Sequence, residues 1–380
     1  MFEISDWLRT RLSRRMVLGA GLAAAGGSAV AAVGSAQEVN QPGYGGGKPH
    51  QGTEGLVHLS GHGSSHGAMM TVGNVDEERN GFDTSKMLTE WETGTVSRLP
   101  DGRVLRTFQI DAIDKEIEIA PGVMFPAWTY NGRVPGPALR ATEGELLRIV
   151  FRNFGSHPHS IHFHGIHSAR MDGIPGAGVI DPGDEFVYEF DAKPFGCHFY
   201  HCHALPLKRH IHKGLYGLFV VDPDPARHPD QAEFARSRLL GTPENAEWQE
   251  FAMVMNGFDT NFDDENEVYA VNTVAHTYMK RPIPVRRDRP VRVYLVNAVE
   301  FDPINSFHLH GNFFDYYDHG TTLTPTLRTV DTITQCQAQR GILEFSFKEH
   351  EPGLYMFHAH QSEFAELGWM SFFDVKEAVA

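Results

Sequence analysis

Tyr200-His201-Cys202-His203, followed at a short interval by His210-Ile211-His212-Lys213-Gly214-Leu215-Tyr216-Gly217, is the stretch on which the reading of this chain turns. A strand running into a loop points successive side chains to opposite faces, so His201 and His203 face one way and Cys202 the other. One strand then serves two metal centres. A thiolate with two imidazoles and a weak or absent axial ligand is the donor set that selects blue copper, and its second imidazole usually lies just beyond the cysteine, ahead of a glycine and a hydrophobic residue. Here that imidazole is His210, and Leu215 takes the axial place. The plainer reading is a zinc or redox cysteine among unrelated histidines, and the remainder of the chain argues against it.

Outward from that stretch the pattern recurs. His162-Phe163-His164-Gly165 has a counterpart in His308-Leu309-His310-Gly311, and Tyr200-His201-Cys202-His203 has one in Phe357-His358-Ala359-His360. Pro194-Phe195-Gly196 before the first triplet is mirrored by Pro352-Gly353-Leu354-Tyr355 before the second. Two copies of one domain explain this economically. Each His-x-His triplet aims two imidazoles from one strand face at one point, and the resulting eight rings exceed what a single copper uses. Three coppers with two or three imidazoles each consume them and leave open positions for dioxygen.

The rest of the pattern is one of short apolar runs broken by turns. Val104–Ile110, Ile117–Ile119, Leu146–Phe151, Phe186–Phe190, Cys197–Cys202 and Leu215–Val221 form a first set; Phe251–Met255, Val291–Asn297, Ser306–His310, Ile342–Phe347 and Leu354–His358 form a second. With 38 Gly and 22 Pro in 380 residues, such runs predict an all-β chain of two β-sandwiches, over residues 101–223 and 248–380. A polar connector at 224–247 joins them, and Gln231–Leu240 within it reads as one short helix. Twenty-two histidines against three cysteines point to imidazole chemistry and away from a disulfide scaffold.

Residues 1–36 stand apart. Ser13-Arg14-Arg15-Met16-Val17-Leu18 precedes an Ala/Gly-rich apolar run from Met16 to Val33 that closes on Gly34-Ser35-Ala36. The segment resembles a twin-arginine export signal cleaved after Ala36, an uncleaved membrane anchor being the alternative. It implies handling by the twin-arginine export machinery and a periplasmic or secreted protein. Residues 37–100 read as a flexible Gly/His-rich arm and lead-in, whose His58, His62, His66 and Met69-Met70 either collect copper or are merely tolerated in a solvated linker. Removing the signal's four arginines and two acidic residues from totals of 33 basic and 48 acidic leaves a formal charge of −17, which argues against nucleic acid as a partner.

Over roughly residues 101–375 the chain resembles the multicopper oxidases, and among them the two-domain, laccase-like branch. The resemblance implies two cupredoxin-like Greek-key domains and four coppers per functional unit, one of type 1, one of type 2 and two of type 3. Matched motif by motif, it implies type 1 ligands His159, Cys202 and His210, with non-coordinating Leu215 in the axial place and His157 and His212 as nearby alternatives. It gives the type 2 copper to His162 and His308, and the type 3 pair to His164, His201, His203, His310, His358 and His360. Asn305, Ala359 and Phe364 stand in the second unit where counterparts of His159, Cys202 and the distal histidine are expected, so only the first unit is equipped for blue copper. That matches the subgroup whose members are homotrimers with trinuclear clusters between subunits, and the same is implied here, a monomer with an internal cluster being the alternative.

The implied activity is one-electron oxidation of a small organic donor, phenolic or aromatic amine, coupled to four-electron reduction of dioxygen to water. Leucine in place of an axial methionine removes a weak donor to copper and raises its potential, which favours such donors. Asp172, in Met171-Asp172-Gly173-Ile174, matches an acidic residue that such oxidases place beside the cluster for proton delivery; equally, Asp before Gly is a common turn. Glu363 is a weaker candidate for the same task. Cys197 and Cys336 read as free thiols, although an exported protein is permitted a disulfide. Two rival functions stand beside the oxidase. Copper nitrite reductases share the resemblance at His159, His164, His201, Cys202 and His210 but carry Asp where His162 stands and lack the paired triplets; a copper carrier or electron-transfer cupredoxin needs no cluster.

Overall fold

The structure, a computed structural model, describes residues 73–237 and 246–377. The export signal, the arm with His58, His62, His66 and Met69-Met70, and the end of the expected Gln231–Leu240 helix lie outside the described residues. The described part of that helix is Ala232–Ser237.

Each half of the chain is a pair of sheets closed on a shared core, the all-β cupredoxin-like architecture expected. Strand periodicity accounts for it: along Leu146–Asn153 burial alternates residue by residue, with Leu147, Ile149 and Phe151 turned inward. In the first half one sheet runs Trp91–Glu92, Ala138–Thr142, Tyr216–Asp222, Gly196–His201 and His162–Phe163. The other runs Thr95–Arg98, Val104–Ala120, Leu146–Asn153 and Glu185–Asp191, with Val123–Tyr130 also paired to Val104–Ala120. Two runs expected separately, Val104–Ile110 and Ile117–Ile119, are one strand, because its pairing passes from Leu146–Asn153 to Val123–Tyr130 at Ala112 and the polar stretch between stays bonded.

The second half repeats the scheme. Val104–Ala120 is parallel to Leu146–Asn153, itself antiparallel to Glu185–Asp191. In the same way Gln249–Phe258 is parallel to Pro290–Asn297, itself antiparallel to Arg340–Ser346. The repetition extends to single residues: His162 lies opposite His201, and His308 opposite His358.

Three hydrophobic cores result. One fills the first half, one the second, and a third lies between them, where Ile117, Phe125, Tyr216 and Val220 meet Val254, Phe258, Tyr294 and Ile342. A partly buried ion network lies alongside. Arg140 pairs with Asp222 (2.7 Å) and Glu250 (2.8 Å), Arg292 with Glu250 (3.1 Å) and Glu344 (2.6 Å), and the Tyr294 hydroxyl donates to Glu250 (2.8 Å). Burial alone would raise the Glu250 carboxyl, but Arg140 and Arg292 outweigh it and hold it down at about 2.

The lead-in departs from the flexible reading once it leaves the arm. Asn80 donates to the Glu118 carbonyl (2.9 Å) and accepts from its N–H (2.8 Å), while Leu88 enters the second-half core and its carbonyl accepts from Ala252 (2.8 Å). Residues 77–98 are thus a strap bonded to both halves. The Gly- and His-rich composition that marks the arm stops before it.

Candidate metal centres

The first centre is assembled by a laced loop. Cys202 follows the strand Gly196–His201, its N–H donating to the Leu215 carbonyl (2.9 Å), while the Leu215 N–H donates to the carbonyl of His210, on the short helix Leu207–His212 (3.2 Å). His159 is pinned from the other side by paired backbone bonds to Ile180 (2.9 and 3.0 Å). Three donor atoms converge: His159 Nδ1 and His210 Nδ1 are 3.2 Å apart, and Cys202 Sγ is 3.2 Å from His210 Nδ1 and 4.0 Å from His159 Nδ1. Leu215, fully buried, belongs to the core around Cys202.

Burial sets the protonation of these groups. It pushes the Cys202 thiol up to about 11, so only a nearby cation makes it a thiolate at neutral pH. It pulls His159 down to about 3 and His210 to about 4, leaving neutral rings with a lone pair to give. The alternatives stand outside the triangle. His212 Nε2 accepts from the Asp259 N–H (3.0 Å), with its ring against Phe125 and Phe301; His157 is exposed and packs on Trp128.

On the opposite face of the same strand the first histidine set gathers. His201 Nε2 and His164 Nε2 approach to 2.9 Å, and the His162 ring lies 5.2 to 5.3 Å from those of His201 and His203. Each Nδ1 has its own anchor: His201 donates to the Cys202 carbonyl (2.8 Å) and His162 to that of Asp172 (2.8 Å), freeing both Nε2 atoms for a metal. Burial lowers His162, and takes His164 to about 2 and His201 to about 3.

Asp172 is a turn residue that also lies beside the histidine set. It ends the 3-10 turn Ala169–Met171, and Gly173 follows at φ +79°, where a Cβ would sit 2.5 Å from the Ile161 carbonyl oxygen. Its carboxylate also lies 3.0 Å from His162 Nδ1 and 3.4 Å from His167 Nε2. His167 is a residue the sequence reading missed; its only signal was a third histidine shortly after the His-x-His-Gly motif. Glu363 is exposed on the helix Ser362–Glu366.

The second half builds the same set again. His310 Nε2 and His358 Nε2 approach to 2.9 Å, the His308 ring is 5.2 Å from that of His360, and His358 Nδ1 donates to the Ala359 carbonyl (2.6 Å). His308 Nδ1 lies 2.8 Å from the Thr332 hydroxyl and 3.1 Å from the Asp331 carbonyl. Burial lowers His310 and His358. Among the described residues no contact joins the two histidine sets within the chain.

The counterpart of the Cys202 centre is filled instead. Ala359 and Phe364 belong to the hydrophobic core, Phe364 stacks on Tyr269 with ring centroids 4.1 Å apart, and Trp369 takes the place of Leu215, accepting from Ala359 N–H (3.2 Å). None of Cys197, Cys202 and Cys336 is in a disulfide; the first two are buried and Cys336 is exposed.

One thiol and neutral imidazoles with free nitrogens, converging in groups, form a donor set of the kind that binds copper. Two cupredoxin-like sandwiches carrying such sets define a copper protein of the cupredoxin class. Residues 112–226 and 246–379 each match a multicopper oxidase family model, and a solved multicopper oxidase is 53% identical with a TM-score of 0.72, covering 80% of this chain and 100% of that one. The chain belongs to the multicopper oxidase family. It is also similar to the copper-containing nitrite reductase of Neisseria meningitidis, 26% identical over 66% of this chain and 64% of the relative. Laccase-2 of Botryotinia fuckeliana is 34% identical over 34% of this chain and 23% of the relative. The chain thus spans slightly less than two thirds of the length of the nitrite reductase it matches.

Proposed function

We propose that the protein is a laccase-like oxidase that couples one-electron oxidation of phenolic or aromatic amine donors to four-electron reduction of dioxygen to water. The observation that carries this is the doubled histidine set wired to a single thiol: His201 and His203 flank Cys202, and His201 bonds back to the Cys202 carbonyl (2.8 Å). In this reading His159, Cys202 and His210 hold type 1 copper with Leu215 axial, and His162 and His308 hold type 2 copper. His164, His201, His203, His310, His358 and His360 hold the type 3 pair. Bound copper supplies one-electron transfer from the donor and the reduction of dioxygen.

The chain's own groups do the rest. The Nδ1 anchors of His162, His201, His308 and His358 leave their Nε2 atoms free for a metal, and burial holds His162, His164, His201, His310 and His358 below the ordinary imidazole value. Asp172, partly exposed, sets Oδ1 3.0 Å from His162 Nδ1 and 3.4 Å from His167 Nε2 and relays protons from solvent towards the histidine set. His310 and His360 are exposed, and Phe313 (56% exposed), Leu354 (55%) and Ile304 (48%) project from the same strands and turn. Such a patch supports a homotrimer in which one subunit's first set completes its neighbour's second. The signal at residues 1–36 supports export through the twin-arginine machinery to the periplasm or beyond.

The test is oxygen uptake by copper-loaded protein with a phenolic donor such as guaiacol. Uptake of one dioxygen for about four donor electrons is expected. Reduction of nitrite without oxygen uptake would replace the reading with that of its nitrite reductase relative, and neither activity would leave a copper carrier.

A further inference from the structure

The donors of the Cys202 centre do not reach solvent. His159 and Cys202 are 0% exposed and His210 is 2% exposed, so an organic donor touches none of them directly. What covers them is Trp128. Its ring centroid lies 4.8 Å from that of His210 and 5.2 Å from that of His159, and its backbone N–H donates to the Lys213 carbonyl (2.8 Å), which ties it to the ligand loop. Unlike the imidazoles it shields, Trp128 is partly exposed, and its other neighbour is the exposed His157 (4.6 Å).

We propose that Trp128 is the surface on which the reducing substrate docks and the group through which its electron reaches the buried imidazoles. The inference rests on the oxidase reading and names the face that reading leaves open. A flat aromatic donor stacks on the exposed part of the indole, as aromatic pairs do. A phenol gives up one electron and releases its hydroxyl proton to water, becoming a phenoxyl radical, and the electron passes by way of the indole to His159 and His210, which with Cys202 would hold the copper(II) that accepts it.

The indole itself is not oxidised in this step. The Lys213 ammonium sits 5.7 Å from the Trp128 ring and 5.2 Å from each of the Phe125 and Phe262 rings, and a cation held there disfavours a positive charge on the indole. Arg209 lies over Phe262 (5.6 Å) on the same side. The occupant that fits beside two cations is an electron-rich phenol, neutral or anionic, in preference to a protonated amine.

Two measurements test this. In anaerobic stopped-flow mixing of copper-loaded protein with guaiacol, Trp128→Leu is expected to keep the blue absorption and copper content but to be reduced about tenfold more slowly, with Trp128→Phe recovering most of the rate. In copper-free protein with isotope-labelled tryptophan, the indole resonance deleted by Trp128→Phe, one of five, is expected to be the one that guaiacol displaces. Wild-type reduction rates in Trp128→Leu, or displacement of other indoles while that one stays put, overturn the proposal. A wild type without blue absorption, or one not reduced by guaiacol at all, would fail the oxidase reading itself and take this inference with it.

Discussion

The two sandwiches share a hydrogen-bond frame and differ in what fills it. In the first, Cys202 donates to Leu215, Leu215 to His210, and the His203 N–H to the Ser160 hydroxyl (3.0 Å). In the second, Ala359 donates to Trp369, Trp369 to Phe364, and the His360 N–H to the Ser306 hydroxyl (2.7 Å). The frame positions the histidine pairs in both halves. Whether a thiol centre stands behind them depends on four side chains: Asn305, Ala359, Phe364 and Trp369 stand where His159, Cys202, His210 and Leu215 do, and core packing closes the site. A metal centre can thus be lost from one copy of a duplicated fold while the outward face of the same strands keeps its imidazoles, because alternation separates the two faces.

The largest effect that tests this comparison is on colour and turnover. Cys202→Ser is expected to abolish visible absorption and nearly all oxygen uptake while circular dichroism shows an unchanged fold. The reciprocal variant, Asn305→His with Ala359→Cys and Phe364→His, is expected to gain no second blue centre, since Trp369 fills the space that Leu215 leaves in the first half. A new blue band from that variant would show that packing does not close the second site.

Next comes the junction between the halves. Glu250→Gln leaves Arg140 and Arg292 short of a partly buried carboxylate and is expected to cost about 1 to 3 kcal/mol in urea unfolding. A loss below about 1 kcal/mol would mean that the network is as weak as a surface pair.

Acid should act on the copper-free protein through the first half's rings. His159, His164, His201 and His210 are held from about 2 to about 4 in the folded state, below their ordinary value of 6.5. The unfolded chain therefore binds more protons as pH falls below about 6.5, and folding stability is expected to drop from there towards about pH 3, where the folded rings begin to titrate. Flat urea midpoints across that range would refute it. Smallest is the effect of the two serines. Ser160→Ala removes the bond from His203 N–H, and Ser306→Ala removes those to His360 and Gln361, each bond worth about 1 kcal/mol. Only the former is expected to shift the blue band, because Ser160 also contacts Cys202 Sγ, its N–H at 3.4 Å and its hydroxyl at 3.8 Å.

Much of the site was legible because its geometry is local. Strand alternation places His201 and His203 opposite Cys202, and the repeated triplets announce the duplication, which the structure extends to the register of His162 against His201 and His308 against His358. What stayed hidden depends on residues brought together across long separations. Arg140 meets Glu250 across 110 positions, and neither stands in a motif, although Arg292 inside the apolar run Val291–Asn297 hinted at a buried partner. His167 reaches Asp172 only because the turn Ala169–Met171 folds the chain back. The strap was missed because residues 77–98 follow on a Gly- and His-rich arm and carry too few apolar residues to stand out, yet Leu88 enters the second core and Thr84 accepts from the buried Tyr278 hydroxyl (2.7 Å). Trp128 gave no sign in the sequence, since nothing in its neighbours' identities tells that its ring lies over His159 and His210.

The most direct test of the central claim, one thiol centre wired to a doubled imidazole set, is copper content measured together with visible absorption on wild type and Cys202→Ser. About four coppers per chain with blue colour in the wild type, and about three without colour in the variant, are predicted. About two per chain in the wild type, or a variant that keeps both its colour and its full copper, would contradict it.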